Sequence, residues 1–332
     1  MYKLLIVVLT MIFCCSGCGD SRKTATENKT KPLKIVTTIF PEYDWLRNVM
    51  GDEFKNAQVT LLLNKGTDLH SYQPTVQDML KVADADLFIY VGGESDFWVK
   101  DALKEAKNKN MKVINLLEVL GRGAKIEEKV EGMEGSETKT DGHGAHSHES
   151  EEKPEVDEHV WLSLKNAQLF SEAIAKSLSE IDGAHQKTYA ANLKNYRDKL
   201  TALDKSYQQV VKGSKQKTIL LGDRFPFRYL VDDYGLKYYA AFVGCSAETE
   251  ASFKTVSFLA GKLDSLQLPV IFTLEKSNRK IAQTIVATTQ NKKQEILTLD
   301  SMQSTTSEEI AKGATYLGIM ESNLKALEKA LR

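Results

Sequence analysis

Residues 141–161, which read DGHGAHSHESEEKPEVDEHVW, hold four of the six histidines in this 332-residue chain. The first three, His143, His146 and His148, stand among glycine, serine, glutamate and lysine. With no apolar neighbours to bury them, they are expected on a mobile exposed loop. Neutral imidazole is the commonest nitrogen ligand for zinc, and several at loose spacing form a weak, adaptable trap. We therefore predict that this loop collects metal ions, the alternative being an adventitious His-rich tract.

His159, the fourth histidine of the stretch, has different neighbours. It follows the acidic pair Asp157 and Glu158 and leads into the apolar residues 160–162. A polar loop meets packed structure at this point, which is how a fixed metal ligand is usually presented. The alternative is a core histidine whose hydrogen bonds are satisfied without a metal.

Length and charge set the general class of the protein. A chain of this length with 42% hydrophobic residues suggests two globular domains. The formal net charge of −1 gives no reason to expect binding to nucleic acid or to an anionic membrane surface, and no basic stripe is present.

The N-terminus has the pattern of a secreted lipoprotein. An apolar run at residues 4–13 precedes the sequence CCSGCGDS, so residues 1–17 are predicted to be a signal peptide, too short to remain as a membrane span. Cys18 would then be the lipidated first residue, and residues 18–31 a flexible tether. An extracytoplasmic, membrane-anchored protein is the expectation.

The first half alternates predicted strands with helices, which is typical of a parallel sheet. His70 lies on the loop that leaves the carboxyl end of the second strand, and Thr75 is expected to cap the helix that follows. The apolar pattern then disappears between 121 and 158, the insertion that carries the histidines. The predicted strands are 34–39, 58–63, 86–92 and 112–117, with a helix at 40–50.

A long helix separates the two halves. Apolar residues between 184 and 211 recur at alternating spacings of four and three, which predicts one continuous helix with a narrow apolar face. A coiled-coil dimer is the alternative. We favour a helix that connects two lobes within one monomer.

The second half repeats this outline with predicted strands at 218–223, 238–244, 269–275 and 295–300. Three of these runs end in a carboxylate: Asp223, Glu275 and Asp300. Ligands of open α/β sheets collect beyond the carboxyl ends of the strands, so these acids are well placed to bind one. The alternative is that they only mark strand ends and cap helices.

Six segments together resemble the zinc- and manganese-binding lipoproteins of ABC importers, the cluster A-I solute-binding proteins of the ZnuA and AdcA type. The resemblance covers nearly the whole mature chain. The segments are DLHSYQPT, DEHVWLSLKNA, YAANLKNYRDKLTALD, DRFPFRYLVDDYGL, GCSAETEASF and LTLDSM.

This resemblance implies an α/β fold of two lobes, each with a mostly parallel four-stranded sheet and flanking helices, joined by one long rigid helix. The lobes would span 32–183 and 213–332, with the connecting helix at 184–212. His70 and His159 match the family's ligands from the first lobe, and Asp300 matches the aspartate that supplies a late ligand from the second.

The remaining ligand position departs from the family pattern. Members usually have His or Glu just before the aromatic motif that here reads Asp223-Arg224-Phe225. Arginine does not ligate metals, so Asp223 is the predicted ligand, and Arg224 is expected to orient the carboxylates by hydrogen bonding. Glu275 is expected to support the ligands or to help close the lobes.

The resemblance implies a receptor, not an enzyme, that delivers its metal to an ABC permease. Zn(II) is the expected ion because the loop imidazoles favour it, with Mn(II) as the alternative because carboxylates also suit manganese. Cys245, the only cysteine beyond residue 18, lies just past a predicted strand and is either a thiolate near the cleft or a plain buried thiol.

Two other functions are alternatives to the receptor. A metal-stabilised surface adhesin is one. A zinc hydrolase is the other, and the absence of HExxH, GxSxG and glycine-rich phosphate motifs argues against it.

Overall fold

The computed structural model describes residues 31–134, 155–246 and 250–332. The predicted signal peptide at 1–17, Cys18, nearly all of the tether and the loop histidines His143, His146 and His148 lie outside these residues. Pro32–Arg332 form one compact unit, and the predicted lobe boundaries stay a prediction.

Two four-stranded sheets form the framework, one from each half of the chain. Both are parallel throughout, and both place their second strand at one edge: the orders are β2-β1-β3-β4 and β6-β5-β7-β8. The predicted repeat and fold class are thus confirmed. The strands are β1 Lys34–Thr37, β2 Gln58–Leu61, β3 Leu87–Tyr90, β4 Lys112–Asn115, β5 Thr218–Phe225, β6 Lys237–Val243, β7 Val270–Leu274 and β8 Glu295–Leu299.

Helices flank the two sheets. They are α1 Phe40–Met50, α2 Val76–Ala83, α3 Val99–Lys104, α4 Leu116–Leu120, α5 Leu164–Ile181, α6 Gln186–Gly213, α7 Arg228–Tyr234, α8 Phe253–Ser265, α9 Lys280–Thr288, α10 Ser307–Ala311 and α11 Tyr316–Ala330.

Local sequence explains where several helices begin. Thr75 caps α2 as predicted, since its hydroxyl accepts a hydrogen bond from the backbone of Asp78, whose carboxylate bonds back to Thr75. Glu42, buried in the first turn of α1, accepts hydrogen bonds from the backbone N–H groups of Thr38 and Ile39. Burial raises the pKa of Glu42 well above its usual range.

The long helix α6 packs along both halves of the chain. Asn192 donates to the carbonyl of Val49 in the first half at 3.1 Å, and the Tyr207 hydroxyl donates to the carbonyl of Met320 in the second at 2.6 Å. Its apolar face, including Tyr189 and Leu200, is buried within the same chain. This packing supports the connecting helix over a coiled-coil dimer.

Buried polar contacts tie the two halves together close to the loop that carries His159. The Trp161 indole N–H donates to the carbonyl of Ser301 at 2.8 Å, and the Tyr316 hydroxyl donates to the carbonyl of Trp161 at 2.7 Å. Lys65 and Thr306 form an antiparallel bridge across the same junction. The larger hydrophobic core accordingly contains residues of both halves.

The flanks of the predicted insertion at 121–158 are more ordered than the sequence suggested. Ile126 pairs with Val156 in an antiparallel bridge. The backbone N–H of Glu134 donates to the carbonyl of Ala241 on β6 at 2.9 Å, so one flank covers part of an edge strand. Sequence patterning missed this contact because the pairing partner lies in the other half of the chain.

In the part of the chain that the structure describes, no helix is long and apolar enough to cross a membrane.

Candidate metal centre

His70 is held by a short turn that follows β2. It lies in the 3₁₀ helix Leu69–Ser71, which begins where the carboxylate of Asp68 accepts a hydrogen bond from the His70 backbone at 2.9 Å. On the side-chain ring, Nδ1 lies 2.9 Å from the Ser95 hydroxyl and 3.4 Å from the carboxylate of Glu158. These contacts leave Nε2 as the free ring nitrogen.

His159 is fully buried and is oriented in the same manner. One oxygen of Asp157 accepts from the His159 backbone N–H at 2.9 Å and also lies 2.9 Å from Nδ1 of the ring. A carboxylate bonded to Nδ1 fixes the tautomer and raises the basicity of Nε2, which is how metal-binding imidazoles are commonly supported. The prediction that His159 lies where a loop enters packed structure is confirmed.

The two rings face each other through their Nε2 atoms. Nε2 of His70 lies 3.0 Å from Nε2 of His159, with the ring centroids 5.0 Å apart. Two nitrogens at 2.0–2.1 Å from a tetrahedral zinc ion would be about 3.3 Å apart. A small outward shift of either ring therefore makes this pair a chelating site.

Glu158 connects the two histidine loops. Its carboxylate accepts from the Ser95 backbone N–H at 2.9 Å. Burial alone would raise the pKa of Glu158, but the hydrogen bonds from His70 and Ser95 outweigh it and hold the pKa below its usual value. Gly93 permits the close approach: its φ is +81°, and an added Cβ would lie 2.3 Å from the Glu158 carboxylate.

Cys245 is the third side chain at this point. Within the described residues, one group of three or more His, Cys, Asp or Glu side chains has all its ligand atoms within 4.8 Å of one another, and it consists of His70, His159 and Cys245. Burial, followed by the negative charges of Glu127 and Glu158, raises the pKa of the Cys245 thiol.

Asp223 and Asp300 are outside this group. Asp223 lies within β5 at a register irregularity and is not the last residue of the strand as predicted, because β5 continues to Phe225. Its oxygens accept from the backbone N–H groups of Arg224 at 3.0 Å and Leu274 at 3.4 Å. Asp300 accepts from the backbone of Met302 at 2.8 Å. Their roles as ligands stay predictions.

Arg224 contacts a carboxylate that the sequence did not suggest. Its guanidinium pairs with Asp68, the residue that caps the His70 turn. The Gln303 amide lies between the same groups, with one of its two terminal atoms 2.9 Å from Asp68 and the other 3.3 Å from Nε2 of His159. Asp68 could have been suspected from its N-cap position, whereas Gln303 and Ser95 carry no local signal.

Glu275 supports the loop that follows Asp300. Its carboxylate accepts from the Ser301 backbone and hydroxyl at 2.7 and 2.8 Å and from the Gln303 backbone at 3.2 Å. Burial, together with the charge of Asp300, raises the pKa of Glu275. Glu275 and the residues that it contacts all belong to the second half. The geometry therefore favours a role in supporting this loop over a role in closing the two lobes.

A cavity of about 410 Å³ is lined by sequence neighbours of the centre, Ser71 next to His70 and Ser246 next to Cys245. Asp68, Asp223, Arg224, Glu275 and Ser246 are among the residues that line it. Acids from both halves thus border this cavity.

The family model for the periplasmic zinc-uptake complex component A, ZnuA, matches residues 35–330. The chain belongs to the ZnuA family. It is 30% identical over 328 residues to the high-affinity zinc uptake system protein ZnuA of Bacillus subtilis, covering 98% of this chain and 97% of that protein.

A further relative of this ZnuA-family chain is AdcA of Streptococcus pneumoniae, which is similar both in sequence and in structure. The zinc-binding lipoprotein AdcA is 33% identical over 303 residues, which are 90% of this chain but 55% of AdcA, so the chain spans about half the length of that relative. The crystal structure of the Zn(II)-bound ZnuA-like domain of AdcA superposes with a TM-score of 0.68 at 29% identity, covering 90% of this chain and 99% of that domain.

Proposed function

We propose that this chain is an extracytoplasmic receptor that binds Zn(II) between His70 and His159 and delivers it to the permease of an ABC importer. The observation that carries the proposal is the 3.0 Å approach of the two Nε2 atoms, each on a ring whose other nitrogen is held by a hydroxyl or a carboxylate. Such a pair is suited to a borderline-soft ion that prefers nitrogen donors.

The names of the relatives support zinc as the cargo. AdcA is called a zinc-binding lipoprotein, and the Bacillus subtilis protein a zinc uptake component. These are binding and uptake proteins, so we propose a receptor and not a hydrolase. Zn(II) is preferred over the alternative Mn(II), because imidazole nitrogen favours zinc whereas manganese favours oxygen ligands.

The other predicted ligands and the histidine loop complete the proposal. Asp223 and Asp300 are candidate carboxylate ligands from the second half, each to be tested by its own Asn variant. His143, His146 and His148 would raise the local zinc concentration without forming the main site.

Thermal unfolding of residues 32–332, stripped by chelator and titrated with zinc or manganese, tests the site. A ligand at one hundred times its Kd that binds only the native state adds about 2.7 kcal/mol to stability. We expect a large zinc shift that survives deletion of residues 141–150 and disappears in His70→Ala. A shift that disappears with the loop and survives His70→Ala would overturn the proposed site.

The anchor and the partner need separate measurements. Cys18→Ala should move the full-length protein from the membrane to the soluble extracytoplasmic fraction. His70→Ala in cells should lower zinc accumulation at limiting zinc while leaving the amount of the protein unchanged. Unchanged accumulation in a strain with no other zinc importer would refute the transport role.

A further inference from the structure

The segment that follows β6 places Cys245 beside the histidine pair. The strand ends at Val243, and Gly244 then lies against the His159 ring: an added Cβ would be 3.0 and 3.2 Å from two ring atoms and 2.8 Å from the Phe225 carbonyl. Only glycine fits at position 244 without a shift of its neighbours, so the backbone passes close to the His159 imidazole. The side chain of the next residue, Cys245, then lies beside that ring.

The backbone of Cys245 is also anchored from the first half. Its N–H donates to the Glu127 carboxylate at 3.0 Å. Glu127 belongs to the flank that pairs with residues just before His159, since its own N–H donates to the carbonyl of Glu155 at 2.9 Å. Cys245 and His159 are therefore held by the same packed segment.

Asp223 and Arg224 occupy the place on β5 where a metal ligand was expected, and both make other contacts. Arg224 pairs with Asp68, and both Asp223 oxygens accept backbone hydrogen bonds. On the adjacent strand, Arg224 is in register with Phe242, three residues before Cys245. A donor from the end of β6 thus takes the place beside the histidine pair.

The distances suit coordination by all three side chains. Their ligand atoms lie within 4.8 Å of one another, and the nitrogen and sulfur ligands of a tetrahedral zinc ion are about 3.6 Å apart. Small rotations of the side chains would close that difference.

We infer that Cys245 is the third protein ligand of the receptor's metal, making a site of two imidazoles and one thiolate that favours zinc and other thiophilic ions over manganese. This rests on the proposed function. The thiol proton passes to solvent as the metal–sulfur bond forms. The fourth position is then left for a second-half carboxylate, for which Asp300 is the predicted candidate.

Cobalt(II) substitution tests this assignment through the metal–sulfur bond itself. The protein is residues 32–332 lacking 141–150, in which Cys245 is the only cysteine and the loop histidines are absent. We expect a thiolate-to-cobalt charge-transfer band in the near ultraviolet that is missing in Cys245→Ser. Zinc affinity should fall at least tenfold in that variant, with a smaller loss for manganese.

Alkylation of the unmodified cysteine tests the same bond without relying on a variant that has to fold. Stoichiometric zinc should slow the reaction of Cys245 with iodoacetamide, and this protection should be absent in His70→Ala. A cobalt complex without the sulfur band, or unslowed alkylation in zinc-loaded protein, overturns the thiolate ligand. If zinc still raises the melting temperature in that case, the receptor proposal stands and only the thiolate ligand is wrong. If zinc does not bind at all, both are wrong.

Discussion

Arg224 of the second half forms an ion pair with Asp68, the residue whose carboxylate also accepts the backbone N–H of His70. One arginine therefore supports the turn that presents the imidazole of His70, a proposed metal ligand, in the opposite half. A guanidinium holds a carboxylate with a directed geometry that a glutamine side chain does not reproduce.

Arg224→Gln is expected to weaken zinc binding about 10- to 100-fold, the usual cost of losing a residue that orients a ligand. Competition with a chromophoric zinc chelator measures the change. Arg197→Gln is the matched control, because Arg197 is an exposed arginine on α6 that contacts Glu172, away from the centre. Equal affinities for the two variants would contradict a supporting role for Arg224.

Gly244→Ala should destabilise the protein and weaken zinc binding together. The added methyl would lie 2.8 Å from the Phe225 carbonyl and 3.0 Å from the His159 ring, so backbone or imidazole must move. Overpacking of this kind costs about 1–3 kcal/mol. Chemical denaturation and zinc titration of the same variant measure the two effects.

Gly261→Ala provides the control for that experiment. Gly261 lies inside α8 and a Cβ there meets no atom within 4 Å. Alanine should stabilise the helix by about 1 kcal/mol and leave zinc affinity unchanged. Similar behaviour of the two glycine variants would show that the contact at Gly244 is unimportant.

Asn323→Ala should lower stability by about 2 kcal/mol, because two buried hydrogen bonds are lost at once. The Asn323 amide accepts from the Asp300 backbone N–H and donates to the Asp300 carbonyl, both at 2.8 Å. The substitution Ser322→Ala, at the adjacent residue, removes a hydrogen bond at an exposed position. It should change stability by only about 0.5 kcal/mol or less. Denaturant unfolding of metal-free protein distinguishes the two.

Asp96 should make metal-free stability depend on pH. Burial, with a further contribution from the charge of Glu158, raises the pKa of Asp96 to about 7, against about 3.9 for an unfolded aspartate. At a pH between these two pKa values, Asp96 is protonated in the folded state and ionised in the unfolded state. Stability contributed by this group therefore falls as pH rises from about 4 to 7, by at most about 4 kcal/mol.

Asp96→Asn should flatten that slope, because asparagine does not ionise in this pH range. Its side-chain oxygen can still accept from the Gly92 N–H, which lies 2.9 Å from the aspartate. Unfolding is followed from pH 4 to 8 in chelator. Asp198→Asn, at an exposed residue paired with Lys194, should leave the slope unchanged. A slope that persists in Asp96→Asn would assign the pH dependence to other carboxyl groups.

Local patterns in the sequence predicted much of the framework. The bounds of α1 and the Thr75 cap agree with the structure, because capping and apolar spacing depend on residues within a turn or two of each other. Strand ends were less accurate. Asp223 was predicted to be the last residue of its strand, but β5 runs on to Phe225, since β6 continues to pair with β5 as far as that residue.

The sequence by itself determined the fold class, the long helix and the two histidines, since each depends on a residue type in a local pattern. Only the tertiary structure decided that the two Nε2 atoms face each other at 3.0 Å and that Cys245, not Asp223, lies beside them. Those neighbours come from different strands and halves. Their proximity follows from sheet order, strand register and the close packing of Gly244 on His159, which no single segment of the chain encodes.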